Sequence, residues 1–182
     1  VQKLISYTEN PENSFALEAE LQVAKANIHA ELILEFSLKD PQELFEVPKM
    51  PGSWEANQVA RRDGLWAATC FEAFLQPWGS NQYYEFNFAL VPAWNAYLFN
   101  AYRQPQPPKA TEDFILKTMN WEPAQKSLRV VLENHSGAQK FNVGLTAILL
   151  EKSGAKHYLA VAHKGDKPDF HLNESFILQR GQ

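Results

Sequence analysis

The sequence predicts an all-β fold, two antiparallel sheets packed face to face as a β-sandwich with jelly-roll-like connections. Three observations lead there. Apolar residues recur with a period of two, which puts one set of side chains into a core and the other toward water. Turn-forming residues punctuate those runs, giving about ten short strands. Few stretches sustain the 3.6-residue stripe of an amphipathic helix.

Taken along the chain, the first strand is expected at 3–7. In 15–22, Phe15, Leu17, Ala19 and Leu21 alternate with Ala16, Glu18, Glu20 and Gln22. The run 21–30 is rich in alanine, yet Asn27 and the flanking alternation argue against a helix there. In 30–38, Leu32, Leu34, Phe36 and Leu38 alternate with Glu31, Ile33, Glu35 and Ser37. Strands are expected at 69–76 and 83–89, joined as a hairpin through Pro77-Trp78-Gly79-Ser80-Asn81. Further strands fall at 96–101 and 114–120. In the next, Leu128, Val130 and Leu132 oppose Arg129, Val131 and Glu133, and 143–150, 158–162 and 176–179 follow. The other turn signals are Asn10-Pro11, Ser136-Gly137, Ser153-Gly154 and Lys164-Gly165-Asp166. Two connections are long: 40–65 carries Pro41, Pro48, Pro51 and Gly52, and 104–110 carries Pro105, Pro107 and Pro108. Long loops in a compact domain are functional or disordered, and Trp54 speaks against disorder in the first.

Composition sets the class. The 182 residues suit one domain, 1–182, with no repeat, linker or low-complexity segment. A 45% apolar and 21% charged make-up excludes intrinsic disorder. No apolar run approaches the roughly 18 residues that cross a bilayer, so no membrane partner is expected. The net charge of −4 argues against a general nucleic-acid binder. Cys70 is the single cysteine, so no internal disulfide is possible. A free thiol and the lack of a leader pattern favour the cytoplasm, although a start at Val1 leaves room for a removed leader.

The stretch 61–103 carries the most chemistry. It places Trp66, Trp78, Trp94, Tyr83, Tyr84, Tyr97 and Tyr102 among Arg61, Arg62, Asp63, Glu72, Glu85, Asn87, Asn95 and Arg103. In the hairpin, Phe71, Ala73 and Leu75 share a face, as do Tyr84, Phe86 and Phe88. With those faces inward, Glu72, Glu85 and Asn87 share the opposite face of neighbouring strands. Adjacent carboxylates repel unless an arginine, a cation or a ligand hydroxyl lies between them. Arg61, Arg62 or Arg103 could supply that charge. The ordinary alternative is a solvated outer face laced with salt bridges.

Here a family resemblance enters. Leu65-Trp66-x-x-Thr69-Cys70-Phe71-Glu72-x-Phe74-Leu75, then Tyr83-Tyr84-Glu85-Phe86-Asn87, then Trp94-Asn95-Ala96-Tyr97 resembles the DOMON-like superfamily, within it the branch related to family 9 carbohydrate-binding modules. The ending His163-x-x-x-Lys167-Pro168-Asp169-Phe170-His171 is similar to the closing segment of bacterial DOMON-like proteins. The resemblance implies a sandwich without catalytic machinery whose relatives bind sugars or haem. It implies a ligand-binding set at Trp66, Glu72, Tyr84, Glu85 and Asn87, to which Arg62 and Arg103 are chemically suitable additions. The second clamping tryptophan of such sites has no counterpart after Trp121, so His163, Phe170 or His171 would replace it. No acidic calcium loop is visible, so calcium is not carried over. The expectation is a non-catalytic domain that recognises a small carbohydrate or sugar-containing ligand and needs no cofactor.

Two rivals remain open. Some DOMON relatives hold haem b, with methionine and histidine or lysine as ligands, which makes Met50, Met119, His163 and His171 the candidates. Met119 lies in a strand pattern, where a core role is the ordinary one. A metal-dependent hydrolase is the second rival: Asp169 and His171 stand two apart, and His163 would complete two histidines and a carboxylate. Asp169 accepting turn amides, and His171 paired with Glu72 or Glu85, is the ordinary reading of those residues. Cys70 reads as a small buried residue, not a nucleophile. No nucleophile elbow, P-loop or dinucleotide motif occurs. His29, His135 and His157 read as plain strand or turn residues, and Trp78 as a satellite-core anchor.

Overall fold

The computed structural model describes residues 1–7, 14–26 and 28–181. The expected turn at Asn10-Pro11, and Asn27, lie outside the described residues. Among the described residues the chain is built of strands and short 3₁₀ turns. The strands are β1 Gln2–Ser6, β2 Ala16–Ala24, β3 Glu31–Lys39, β4 Gly52–Glu55, β5 Ala60–Arg61, β6 Cys70–Pro77 and β7 Tyr83–Ala89. They continue as β8 Ala93–Phe99, β9 Lys109–Ala110, β10 Phe114–Glu122, β11 Ser127–Asn134, β12 Lys140–Leu150, β13 Lys156–Ala160 and β14 Leu178–Gly181.

The all-β expectation holds. One strongly curled sheet runs β4-β10-β11-β3-β2-β1-β13-β12-β6-β7-β8-β5, with β14 added to β12 and β9 to β8. The corner is β1: Gln2, Lys3 and Leu4 pair with β2, whereas Ile5 and Ser6 pair with β13. This splits the curl into a first half from β4 to β1 and a second half from β1 to β5. Neighbours are antiparallel apart from the parallel β5–β8 pair.

The period of two decides what lies between the halves. Leu17, Ala19 and Leu21 of β2, Leu32, Leu34, Phe36 and Leu38 of β3, and Leu128, Val130 and Leu132 of β11 are all buried, facing the core. From the second half come Phe71, Ala73 and Leu75 of β6, and Tyr84, Phe86 and Phe88 of β7. Phe36 of one half stacks on Phe71 of the other at 5.0 Å between ring centroids.

Three corrections apply to the sequence reading. The 40–65 connection is partly sheet: β4 pairs with β10 (Trp54 opposite Met119) and β5 with β8. It is anchored by Asp40, whose carboxylate accepts N–H bonds from Leu44 and Phe45 and a contact from Lys126 Nζ at 3.3 Å. The 96–101 strand begins earlier, at Ala93, and ends at Phe99, because Asn100 and Ala101 turn back to Gln104. Most consequential, the outer face of the second half is not solvated. Phe74 and Tyr83 on that face pack with Phe99, Ile148, Phe170 and Phe176 into a second apolar cluster, so 163–177 lies over the sheet. Gly144 permits this approach: a Cβ there would come 2.8 Å from the Phe176 ring, which stacks on Phe74 at 5.6 Å.

Candidate functional site

Sheet register assembles the site. Thr146 of β12, Glu72 of β6, Asn87 of β7 and Asn95 of β8 stand on one rung; Gly144, Phe74, Glu85 and Tyr97 stand on the next. All point away from the core between the halves. Over them lies a cavity of about 250 Å³ bordered by Trp66, Phe74, Phe99, Tyr158 and Phe170, with Glu72 and Glu85 reaching it from the sheet. Arg103, Gln106 and Pro108 form a wall from the proline-rich loop, and Pro168 and His171 one from the C-terminal segment. The 104–110 connection is therefore ordered and borders the site. Trp66 sits on a short 3₁₀ turn, Leu65–Ala67, started by Gly64 at φ +74°, a backbone that glycine adopts without strain. Its ring meets Tyr97 edge-on at 6.1 Å and is 38% exposed.

The carboxylates are deep. Glu72 is 3% exposed and Glu85 6%. Burial, and for Glu72 the charge of Glu85, pushes both pKa values up, Glu72 well above the carboxylate range and Glu85 to about 7. At neutral pH the pair therefore retains a proton. Glu85 Oε1 accepts an N–H from Asn87 at 2.7 Å, and Glu72 Oε2 a long bond from Thr146 at 3.3 Å. Arg103 is the nearby cation, but its guanidinium is engaged by Asp169 at 3.0 Å, and Asp169 also accepts the Tyr102 hydroxyl. His171 is neutral, since burial and Arg103 lower its pKa to about 4. The Tyr83 hydroxyl accepts the Arg103 backbone N–H at 3.0 Å and shares a hydrogen bond with His171 Nδ1 at 2.9 Å. The other ring nitrogen, Nε2, lies 3.7 Å from Glu85 Oε2.

Of the sequence-predicted ligand set, Trp66, Glu72, Glu85, Arg103 and His171 meet in the cavity. The other four do not line it. Tyr84 belongs to the inner face of β7, buried in the core with its hydroxyl on Asp113 at 2.9 Å; strand alternation puts it opposite Glu85. Asn87 is fully buried and orients Glu85, while also accepting the Cys70 thiol at 3.6 Å. Arg62 is exposed on the connection after β5. His163 donates from Nε2 to the Ile5 carbonyl at 2.8 Å and packs edge-on against Tyr7. Arg61 lies over Trp94 at 4.4 Å and bonds Asn95.

The rival constellations fare as follows. Met119 is buried in the core, and Met50, 77% exposed, precedes β4; neither lines the cavity that His171 borders. The side chains of Asp169, His163 and His171 do not converge: Asp169 holds Arg103, the Tyr102 hydroxyl and the His171 backbone N–H, His163 bonds the Ile5 carbonyl, and the His171 ring meets Tyr83. Among the described residues, one set with ligand atoms all within 4.8 Å is His29, Glu133 and His135. Its members meet because Glu31 of β3 pairs with Glu133 of β11, a proximity that their wide separation along the chain hides from the sequence. Glu133 there already bonds His135 at 2.6 Å and Lys117 at 3.0 Å. The Cys70 thiol is buried with its pKa raised by burial, the wrong direction for a nucleophile. Trp78 is 52% exposed under Lys140 instead of anchoring a satellite core.

Sequence reasoning missed Phe74, Phe99, Tyr158, Gln106, Pro108 and Pro168 as lining residues: Phe74 and Pro168 stand in the quoted motifs without a ligand role, and a tertiary cover brings in the rest. No family model matches the chain, and no curated relative does. A solved structure described as a candidate carbohydrate-binding protein from Bacteroides uniformis is similar in fold. Its TM-score is 0.56 at 14% identity, over 98% of this chain and 84% of that one.

Proposed function

We propose that the cavity over the second half binds one sugar ring, or a polyhydroxylated molecule of that size, and releases it unchanged. The observation carrying this reading is the enclosure of paired acceptors, Glu72 and Glu85, by aromatic rings in a space of about 250 Å³. That is below the roughly 300–1,000 Å³ of sites for drug-sized ligands, and suits a single ring. A pyranose has an apolar C–H face for an indole and a rim of hydroxyls for planar acceptors. Phe170 and His171 line the same cavity as Trp66, which supports them as the second ring surface of the clamp. The DOMON-like resemblance of the same residues, and the carbohydrate-binding description of the structural neighbour, support the reading. Neither the Cys70 thiol, buried and neutral, nor the His171 ring, hydrogen-bonded to Tyr83, is offered to a ligand as a nucleophile, which supports binding without turnover.

Covering about 200 Å² of ring surface contributes at most about 5 kcal/mol at ~25 cal/mol per Å², before the polar groups give up their water. Affinity in the micromolar to millimolar range is expected. The test is a glycan array followed by calorimetry on Trp66→Ala and Glu85→Gln. Trp66→Ala should weaken the parent's best ligand by about tenfold or more, the effect of some 1.4 kcal/mol. Unchanged binding in both variants would place the ligand elsewhere.

A further inference from the structure

The reading above leaves open which polyhydroxylated ligand fits, and the charge around the cavity narrows it. The groups that face Glu72 and Glu85 come from every neighbouring element. From the strands come the Cys70 thiol, the Thr146 hydroxyl, the Asn87 amide and the Tyr83 and Tyr97 phenols, all neutral. From the covering segments come Arg103, Asp169 and His171. One full positive charge, Arg103, thus stands among three carboxyl groups, two of them sharing a proton, and its guanidinium is taken by Asp169. Glu72, 3% exposed and bordering the cavity, is met by neutral donors, the Thr146 hydroxyl on Oε2 at 3.3 Å and the Cys70 thiol. Glu85 Oε2 has as its nearest partner His171 Nε2 at 3.7 Å, beyond hydrogen-bond reach.

A buried anion without a counter-charge is costly, far more so than a neutral polar group without a partner. Hydroxyls donate hydrogen bonds to such oxygens but leave the charge in place. An ammonium group supplies three donors and a full positive charge in one small tetrahedron. The apolar surroundings strengthen that attraction, and the exposed Trp66 face at the rim favours a cation as well.

Resting on the sugar-site reading, we propose that the ligand carries a protonated amine, as an amino sugar does, and that its ammonium lies between Glu72 and Glu85. Binding then drives the proton held by the pair into solution, so affinity rises with pH through the neutral range while the amine stays charged. A neutral sugar has no such requirement.

The experiment uses monosaccharides in matched triplets, the hydroxyl, free amino and N-acetylamino forms of one ring, titrated into the full chain in phosphate buffer at pH 6, 7 and 8. The expected result is that the free amine binds at least about tenfold tighter than its two counterparts. Its binding should release up to one proton, read as a pH fall in lightly buffered solution. Glu85→Gln and Glu72→Gln, nearly isosteric and checked for folding by thermal melting, should abolish the preference together with the proton release. Equal binding of hydroxyl and amino forms overturns the amine inference and leaves the sugar site standing. Binding of plain alkylamines with no preference for the ring keeps the ammonium site and overturns the sugar. No binding by any triplet or alkylamine overturns both.

Discussion

The two halves of the curl carry the same alternation and the same residue type on their outward positions, and treat it in opposite ways. On the first half, Glu18, Glu35 and Glu133 face out beside cations: Lys39 at 2.7 Å, Arg129 at 3.0 Å and Lys117 at 3.0 Å. The pKa values of Glu18 and Glu133 are lowered, mainly by hydrogen bonds from those lysines. On the second half, Glu72 and Glu85 occupy equivalent outward positions and are pushed up by burial. Strand chemistry does not separate the cases. What differs is the cover: 163–177 and the proline-rich loop lie over one half, and nothing among the described residues covers the acids of the other. A carboxyl beneath such a cover without its own cation costs stability when it ionises, the mark of a group kept for something other than packing in the proposed reading.

The largest expected effect comes from lifting the cover. Phe74→Ala, removing a ring 1% exposed between the sheet and Phe176, should cost about 3–4 kcal/mol in urea unfolding. It should also raise amide exchange across 163–177 while leaving β2, β3 and β11 protected. Uniform loss of protection would mean that the cover and the first half do not differ in this way.

Next is the charge itself. A carboxyl whose pKa is about 7 when folded, against an ordinary 4.5, favours the folded state below 4.5 and loses that contribution as pH rises through 7. Glu85→Gln should therefore melt roughly 5 °C above the parent at pH 8, with the two converging at pH 5. His171 works in the opposite sense, contributing above 6.5 and losing it as pH falls through 4. The difference between variant and parent cancels the His171 contribution and reads Glu85 together with the relief it gives Glu72. A melting difference independent of pH would remove the buried-charge account.

A smaller change is expected from Gly144→Ala, which crowds the Phe176 ring. It should cost about 1–2 kcal/mol, measured by urea unfolding. The smallest change belongs to the first half. Glu35→Gln breaks an exposed pair with Arg129 and should move the melting temperature by less than about 1 °C, an effect that vanishes at high salt.

The fold was legible because period two is local: Leu32, Leu34, Phe36 and Leu38 fix their own face whatever they pack against. The face shared by Glu72 and Glu85 was legible for the same reason. Its burial was not, because the residues that bury it, Phe170 and Phe176, are about a hundred positions away and carry no period that declares their target. Tyr84 shows the converse. Pattern matching set it beside Glu85 in the ligand set, yet adjacent residues on a strand point to opposite sides. The strands β4, β5 and β9, with four, two and two residues, were invisible because pairing with a long neighbour, not composition, makes them strands.

The corner at β1 has a consequence for how copies of the chain meet. A strand that changes partners halfway along, from β2 to β13, leaves no open border where one layer passes into the next. The borders at which the path ends are β4 and β5, too short to template a long foreign strand. Crowded solutions of this protein are thereby guarded against the sheet-to-sheet growth that long, flat margins invite.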